Sequence, residues 1–244
     1  MDMNVSAILL SARDSGAADR IAIFFTKEQG KMRVFCPGSR RKSGRGGLLQ
    51  PFALLDLQVD RQREGYRLLE ARTLRDSQNI WSDWDRMSYG AVIAEAIDIL
   101  WPEEEAQEEL FDFLDRAFEV LEIRSPRIVA GAALWKILEL AGFGAELTGC
   151  IECGSQLHEG CLSAEGGGVI GSCCGLDPLA PQISQETLQA LQTLQNYPWD
   201  EKEISGSISG KDLIEAEKIL LHYLYHHSGR NFRSLEFFQK QRNI

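Results

Sequence analysis

Of all the residues in this chain of 244, the cysteines carry the most explicit chemistry, and their spacing is uneven. Cys150-Ile151-Glu152-Cys153-Gly154 is a CxxC pair, in which two thiolates reach one ion from a tight turn and the glycine lets the backbone close it. A regular zinc knuckle would answer with a second CxxC pair. Here the second half reads Gly171-Ser172-Cys173-Cys174, with Gly171 where the earlier cysteine would be expected. Cys150, Cys153, Cys173 and Cys174 form the preferred tetrahedral set, with structural zinc as the expected ion and Cys161 and His158 as alternative ligands. Adjacent cysteines share one metal only through an unusual backbone, so a metal-free reduced loop stays open as a reading. A redox-active dithiol is the third, without the strand-to-helix context that such motifs have.

The second set with a chemistry of its own is basic. Lys31, Arg33, Arg40, Arg41, Lys42 and Arg45 fall between residues 31 and 45, where there is no acidic residue. Met32, Val34 and Cys36 alternate with Lys31, Arg33 and Phe35, so a strand here buries one side and offers cations beside an aromatic ring on the other. Single-stranded nucleic acid is held by that combination, through its phosphates and its bases. The charge division agrees. Residues 1–78 contain 14 Lys/Arg and 9 Asp/Glu, a net of +5, so with a total of −10 the remaining 166 residues carry −15. One defined basic patch on an acidic protein excludes indiscriminate coating of nucleic acid. A solvated loop without a ligand is the plainer alternative, and a protein-interaction scaffold whose basic loop meets an acidic partner is the competing function.

Other motifs fail on detail. His222 and His226 are four apart on a helical stretch, but the segment reads HYLYH, without the glutamate of a zinc-protease helix. The stretch from Gly206 to Lys211 is one spacer short of a phosphate loop and is followed by Asp212. No nucleophile, base and acid fall together, and an enzyme is not indicated. No run approaches the roughly 18 apolar residues of a membrane span, and the N-terminus does not read as a signal peptide, so a cytoplasmic protein with reduced cysteines is expected.

These residues need elements to place them. Strands are expected at Val5–Leu10, Ile21–Thr26, Lys31–Cys36, Ala53–Val59 and Tyr66–Ala71, too closely spaced for interior crossover helices, which suggests a small closed antiparallel barrel. An OB-fold is the first candidate, and an SH3-like barrel remains open. Helices are expected over Asp83–Leu100, from Pro102 to about Leu121 with Glu103, Glu104 and Glu105 in its first turn, over Arg127–Leu140, Ser184–Asn196 and Lys211–His227, with a short one after Asn231. The fold class is α+β and multi-domain. The divisions fall at 1–78 (barrel), 79–149 (first helical part), 150–178 (cysteine-rich insert) and 179–244 (second helical part).

Over nearly its whole length the chain resembles the RecO family of bacterial recombination mediators. The resemblance rests on Phe25-Thr26-Lys27-Glu28-Gln29-Gly30-Lys31, on Gly38-Ser39-Arg40-Arg41-Lys42-Ser43 through Gly47, and on Leu49-Gln50-Pro51-Phe52. It continues through Glu108-Glu109-Leu110-Phe111-Asp112-Phe113-Leu114, Leu138-Glu139-Leu140-Ala141-Gly142-Phe143, and the Cys150/Cys153 pair ahead of Gly167-Gly168. It implies an N-terminal OB-fold, a helical domain and a zinc-finger-like insert. It further implies a nucleoid-associated protein that binds single- and double-stranded DNA and anneals complementary strands. RecR, the C-terminal tail of single-stranded-DNA-binding protein and, indirectly, RecA become its partners. By the same similarity Lys31, Arg33, Arg40, Arg41, Lys42 and Arg45 become phosphate contacts and Phe35 a stacking surface. Charge reversal of Arg40, Arg41 and Lys42 together is expected to abolish DNA binding with the fold intact. A groove for the acidic tail would need a cation such as Arg124 or Arg127.

Overall fold

Alternation of apolar residues decides the first 75 residues, since each strand has one face that must leave water. The computed structural model describes residues 2–41, 47, 49–200 and 208–234. Strands β1 (Asp2–Ser15), β2 (Asp19–Thr26), β3 (Gly30–Cys36), β4 (Leu54–Arg61) and β5 (Tyr66–Arg75) close into a barrel in the order β1-β2-β3-β5-β4. Its interior is filled by residues such as Val5, Ala22, Phe24, Met32, Val34, Cys36, Leu55, Leu57 and Leu68. β1 bulges between Leu9 and Ser11, and this long strand pairs with both β2 and β4. Four of the five pairings are antiparallel, as expected. The fifth, β3 with β5, is parallel and short, with Val34 opposite Tyr66 and Phe35 opposite Arg67. That order and that parallel seam are those of an OB-type barrel, and they close the SH3-like alternative.

The chain separates into two compact units, one from the start of the chain to Pro126 joined by Ser234, the other from Arg127 to Arg233. In the first unit the barrel carries three helices, α1 (Gln78–Ser82), α2 (Trp84–Leu100) and α3 (Glu108–Leu121). α1 was not expected from the sequence, being too short to show a period. Asp83 caps α2 by accepting from the Arg86 amide, and Ser234 donates to the Glu95 carboxylate on its outer side. Phe52 leaves the loop before β4 and stacks on Phe118 of α3, with ring centroids 4.8 Å apart. The α2 backbone comes close beneath it. A Cβ on Gly90 would stand 2.7 Å from the Phe52 ring.

The acidic segment departs from expectation. Glu103, Glu104 and Glu105 are not the first turn of a helix, because α3 begins only at Glu108. Residues 102–107 instead cross the barrel beside β3, where Glu103 bridges to Lys31 and the Glu104 amide donates to the Lys31 carbonyl at 3.0 Å. Gly30 has a positive φ of 67°, and a Cβ there would lie 1.9 Å from the Glu105 carbonyl oxygen, so only glycine lets this segment pass.

In the second unit, α4 (Pro126–Leu140), α5 (Gln185–Gln195) and α6 (Gly210–Ser228) enclose Trp135, Leu138, Leu191, Leu220 and Tyr223. The insert, which has no apolar period, forms with the residues just after it a small sheet ordered β7 (Gly168–Gly171), β6 (Gly160–Ser163), β8 (Gln182–Ile183). Arg127 is tied to Glu217 by an ion pair, so it is not the free cation that an acidic tail would need. The second histidine of the HYLYH pair, His226, packs beside His227, which stacks on Phe143. The expected C-terminal helix is described only at Arg233 and Ser234, and its remainder lies outside the described residues. Among the described residues no helix is long and apolar enough to cross a membrane.

Candidate nucleic-acid face and candidate metal centre

β3 sends Met32, Val34 and Cys36 inward, all fully buried, and turns Lys31, Arg33 and Phe35 outward. Burial pushes the Cys36 thiol up to about 12. The outward face is only partly open. Lys31 is 7% exposed, because its ammonium lies 3.1 Å from an Asp98 carboxylate oxygen and donates to the Asp98 carbonyl at 2.6 Å. The expected exposed cation is therefore an internal one, covered by the end of α2. Arg33 is exposed and pairs with Glu103 at 3.1 Å. Phe35 is half-buried in a row that runs across three strands, with Ile21 beside it on β2 and Arg67 on β5.

The loop cations have separate settings. Arg40 donates to the Gly16 carbonyl at 3.1 Å and pairs with Asp14 at 3.2 Å, which ties the loop to the β1–β2 turn. Arg41 is exposed and makes no ion pair among the described residues. Lys42 and Arg45 lie outside them. Sequence reasoning missed Arg61, Tyr66 and Arg67. Arg61 pairs with Glu104 at 3.0 Å, donates to the Tyr66 hydroxyl at 2.8 Å and lies over that ring. These hydrogen bonds hold Glu104 below, and Arg61 above, their ordinary ranges. Arg33, Phe35, Gly65, Tyr66 and Glu103 line a groove of about 480 Å³. The signal for Arg67 was the barrel order, which alone brings β5 against β3.

The cysteines converge as their types suggest. The sulfurs of Cys150, Cys153, Cys173 and Cys174 all lie within 4.8 Å of one another. Cys153 Sγ is 3.4 Å from Cys173 Sγ, and the sulfurs of Cys173 and Cys174 are 3.9 Å apart. A tetrahedral ion with metal–sulfur bonds of about 2.3 Å sets its sulfurs about 3.8 Å apart, so the four fit such an ion. The unusual backbone required of adjacent cysteines is a single 3₁₀ turn over Ser172–Cys174, released at Gly175 with φ 90°. Gly171 also has its reason. A Cβ there would stand 3.1 Å from the Cys173 sulfur, and its amide donates to Cys150 Sγ at 3.3 Å. The alternative ligands are elsewhere: Cys161 is buried in β6 and His158 lies beside α5, outside the cluster.

The electrostatics of the cluster suit a cation. Hydrogen bonds from Ser155 pull Cys153 down to about 6, and the Gly171 amide lowers Cys150. Hydrogen bonding to Cys153 raises Cys173 and Cys174. Four thiolates this close repel one another, and a divalent ion among them lets all four ionise.

Comparison with known proteins covers nearly the whole chain. Residues 1–77 match the family model described as Recombination protein O N terminal, and residues 81–236 the one described as Recombination protein O C terminal. A curated protein of Anaeromyxobacter dehalogenans named DNA repair protein RecO is 31% identical over 245 residues, covering 96% of this chain and 95% of its own. Proteins of the same name from a Synechococcus species and from Desulforamulus reducens are 29% and 25% identical, covering 95% and 97% of this chain and 87% and 93% of their own.

Proposed function

This chain belongs to the RecO family of DNA repair proteins, and from that premise we propose that it is a non-catalytic recombination mediator. It binds single- and double-stranded DNA, anneals complementary strands, and with RecR helps to load RecA on strands coated by single-stranded-DNA-binding protein, whose C-terminal tail it contacts. Residues 1–78 supply the nucleic-acid face, 79–149 and 179–244 the helical platform for protein partners, and 150–178 a finger held by zinc on Cys150, Cys153, Cys173 and Cys174. The cytoplasm, at the nucleoid, is its place.

The observation that carries this reading is the row of Phe35 and Arg67 beside Arg33, with Arg41 exposed at the loop. An aromatic ring flanked by guanidinium groups holds a strand by stacking and by its phosphates without reading its sequence, as annealing requires. Annealing needs no catalytic group: neutralised phosphates let two strands approach, and pairing does the rest. Lys31 is left out of the contact set, because Asp98 already occupies it.

The test is annealing of complementary oligonucleotides over a salt series, with metal determined on the same preparation. Acceleration that falls steeply with salt is expected. Folded protein that neither binds nor accelerates would turn the reading to a protein-interaction scaffold. The carboxylates of Glu103 and Glu104 on Arg33 and Arg61 favour that second reading, since this face does accept acidic protein groups. A scaffold would show no preference for DNA over another polyanion.

A further inference from the structure

Two guanidinium groups on the barrel are already answered by carboxylates from one short segment. Glu103 meets Arg33 of β3, and its neighbour Glu104 meets Arg61 of β4 while accepting from the Tyr66 hydroxyl at 3.0 Å. Consecutive acids thus reach cations on different strands, as consecutive phosphates of one nucleic-acid strand would. The groove beside them contains Phe35.

The segment is held at its ends, and between them by its backbone on β3 and by side-chain ion pairs of the kind an anion can replace. Asp98, which precedes it, clamps Lys31, and α3 starts at Glu108 after it. Between these points the bridge of Glu103 to Lys31, with the hydrogen bond from the Glu104 amide to the Lys31 carbonyl, joins it to β3. Glu104 has a φ of 59°, a conformation that side chains other than glycine adopt at a cost. The side chains of Glu103 and Arg33 are 51% and 55% exposed, so water and salt screen the pair and leave it open to competition from another anion.

We propose that residues 103–104 are an internal mimic of a polynucleotide backbone, occupying a phosphate site made by Arg33 and Arg61 and leaving it when a single strand binds. The proposal rests on the reading of this face as a nucleic-acid interface and adds its regulation. The mimic lowers affinity for weak or isolated anions, and a continuous strand, which brings several phosphates and a base for Phe35 at once, displaces it.

The experiment compares the full-length chain with E103Q/E104Q, a pair of substitutions that keeps size and shape while removing the charge and one of the two acceptor oxygens of each side chain. Binding of a fluorescein-labelled single-stranded oligothymidylate is followed by anisotropy over a salt series. The variant should bind about threefold to tenfold more tightly at low salt, and the gain should shrink as salt screens the ion pairs of the parent protein. In an R33Q/R61Q background the same substitutions should give no gain. A second measurement needs no variant: hydrogen exchange at the Glu104 amide should quicken when the unmodified protein is saturated with the strand. Equal or weaker binding by E103Q/E104Q, or a Glu104 amide equally protected in the complex, overturns the mimic while binding by the parent protein leaves the interface standing. Binding by neither protein overturns both.

Discussion

Arg40 and Arg41 are neighbours in sequence with different roles. Arg40 holds Asp14 and the Gly16 carbonyl, so reversing its charge breaks a loop anchor as well as any ligand contact. Arg41→Glu should weaken oligonucleotide binding severalfold and lessen the salt slope by about 0.7, with an unchanged melting temperature. Arg40→Glu should lower both affinity and melting temperature, which thermal unfolding beside anisotropy will separate. Reversal of the triple set is therefore not free of structural cost. Cys36 makes a prediction of another kind. Its folded-state pKa, about 12, lies above its ordinary 9.0, so the folded chain keeps a proton that the unfolded chain gives up. Stability from this group is complete below about 9 and should fall as pH rises from there toward 12, as denaturant midpoints at successive pH values will show. The inward place of Cys36 was legible from its alternation with Met32 and Val34. That of Lys31 was not, because the group that covers it is 67 residues away.

At the scale of elements, the sequence reading located all five barrel strands, each by its alternation, and the long helices. It misplaced the start of α3. Glutamates near a helix N-terminus are favourable, but Glu103 and Glu104 find guanidinium partners on the barrel, and the helix begins after them. Propensity gave way to a tertiary contact. The close passage of Phe52 over α2 gives Gly90→Ala a definite cost: the added methyl meets the ring, and unfolding should show a loss of about 1–3 kcal/mol. In the finger, the CxxC half was plain from spacing, whereas the second half depended on a 3₁₀ turn that spacing cannot display. Cys150→Ser or Cys174→Ser should abolish bound zinc and lower the melting temperature. Cys161→Ser should leave the metal content unchanged, by elemental determination on the purified proteins.

For the whole chain, the division of charge at residue 78 was correct arithmetic and incomplete physics. Among the described residues, Lys27, Lys31, Arg33, Arg61 and Arg75 on the barrel pair with Asp112, Asp98, Glu103, Glu104 and Asp115. The acids that make the later chain negative return to the barrel and neutralise much of what makes it positive. A sequence shows where charges are placed along the chain, and only folding shows which of them remain available. The order of those partners has a consequence for synthesis. Translation delivers the N-terminal strands first, so the nascent barrel, at net +5, waits for its neutralising acids through some twenty to forty further residues. During that interval the growing chain is a cation beside the ribosome's own RNA, and residues 98–115 bring the carboxylates that pair with Lys27, Lys31, Arg33, Arg61 and Arg75.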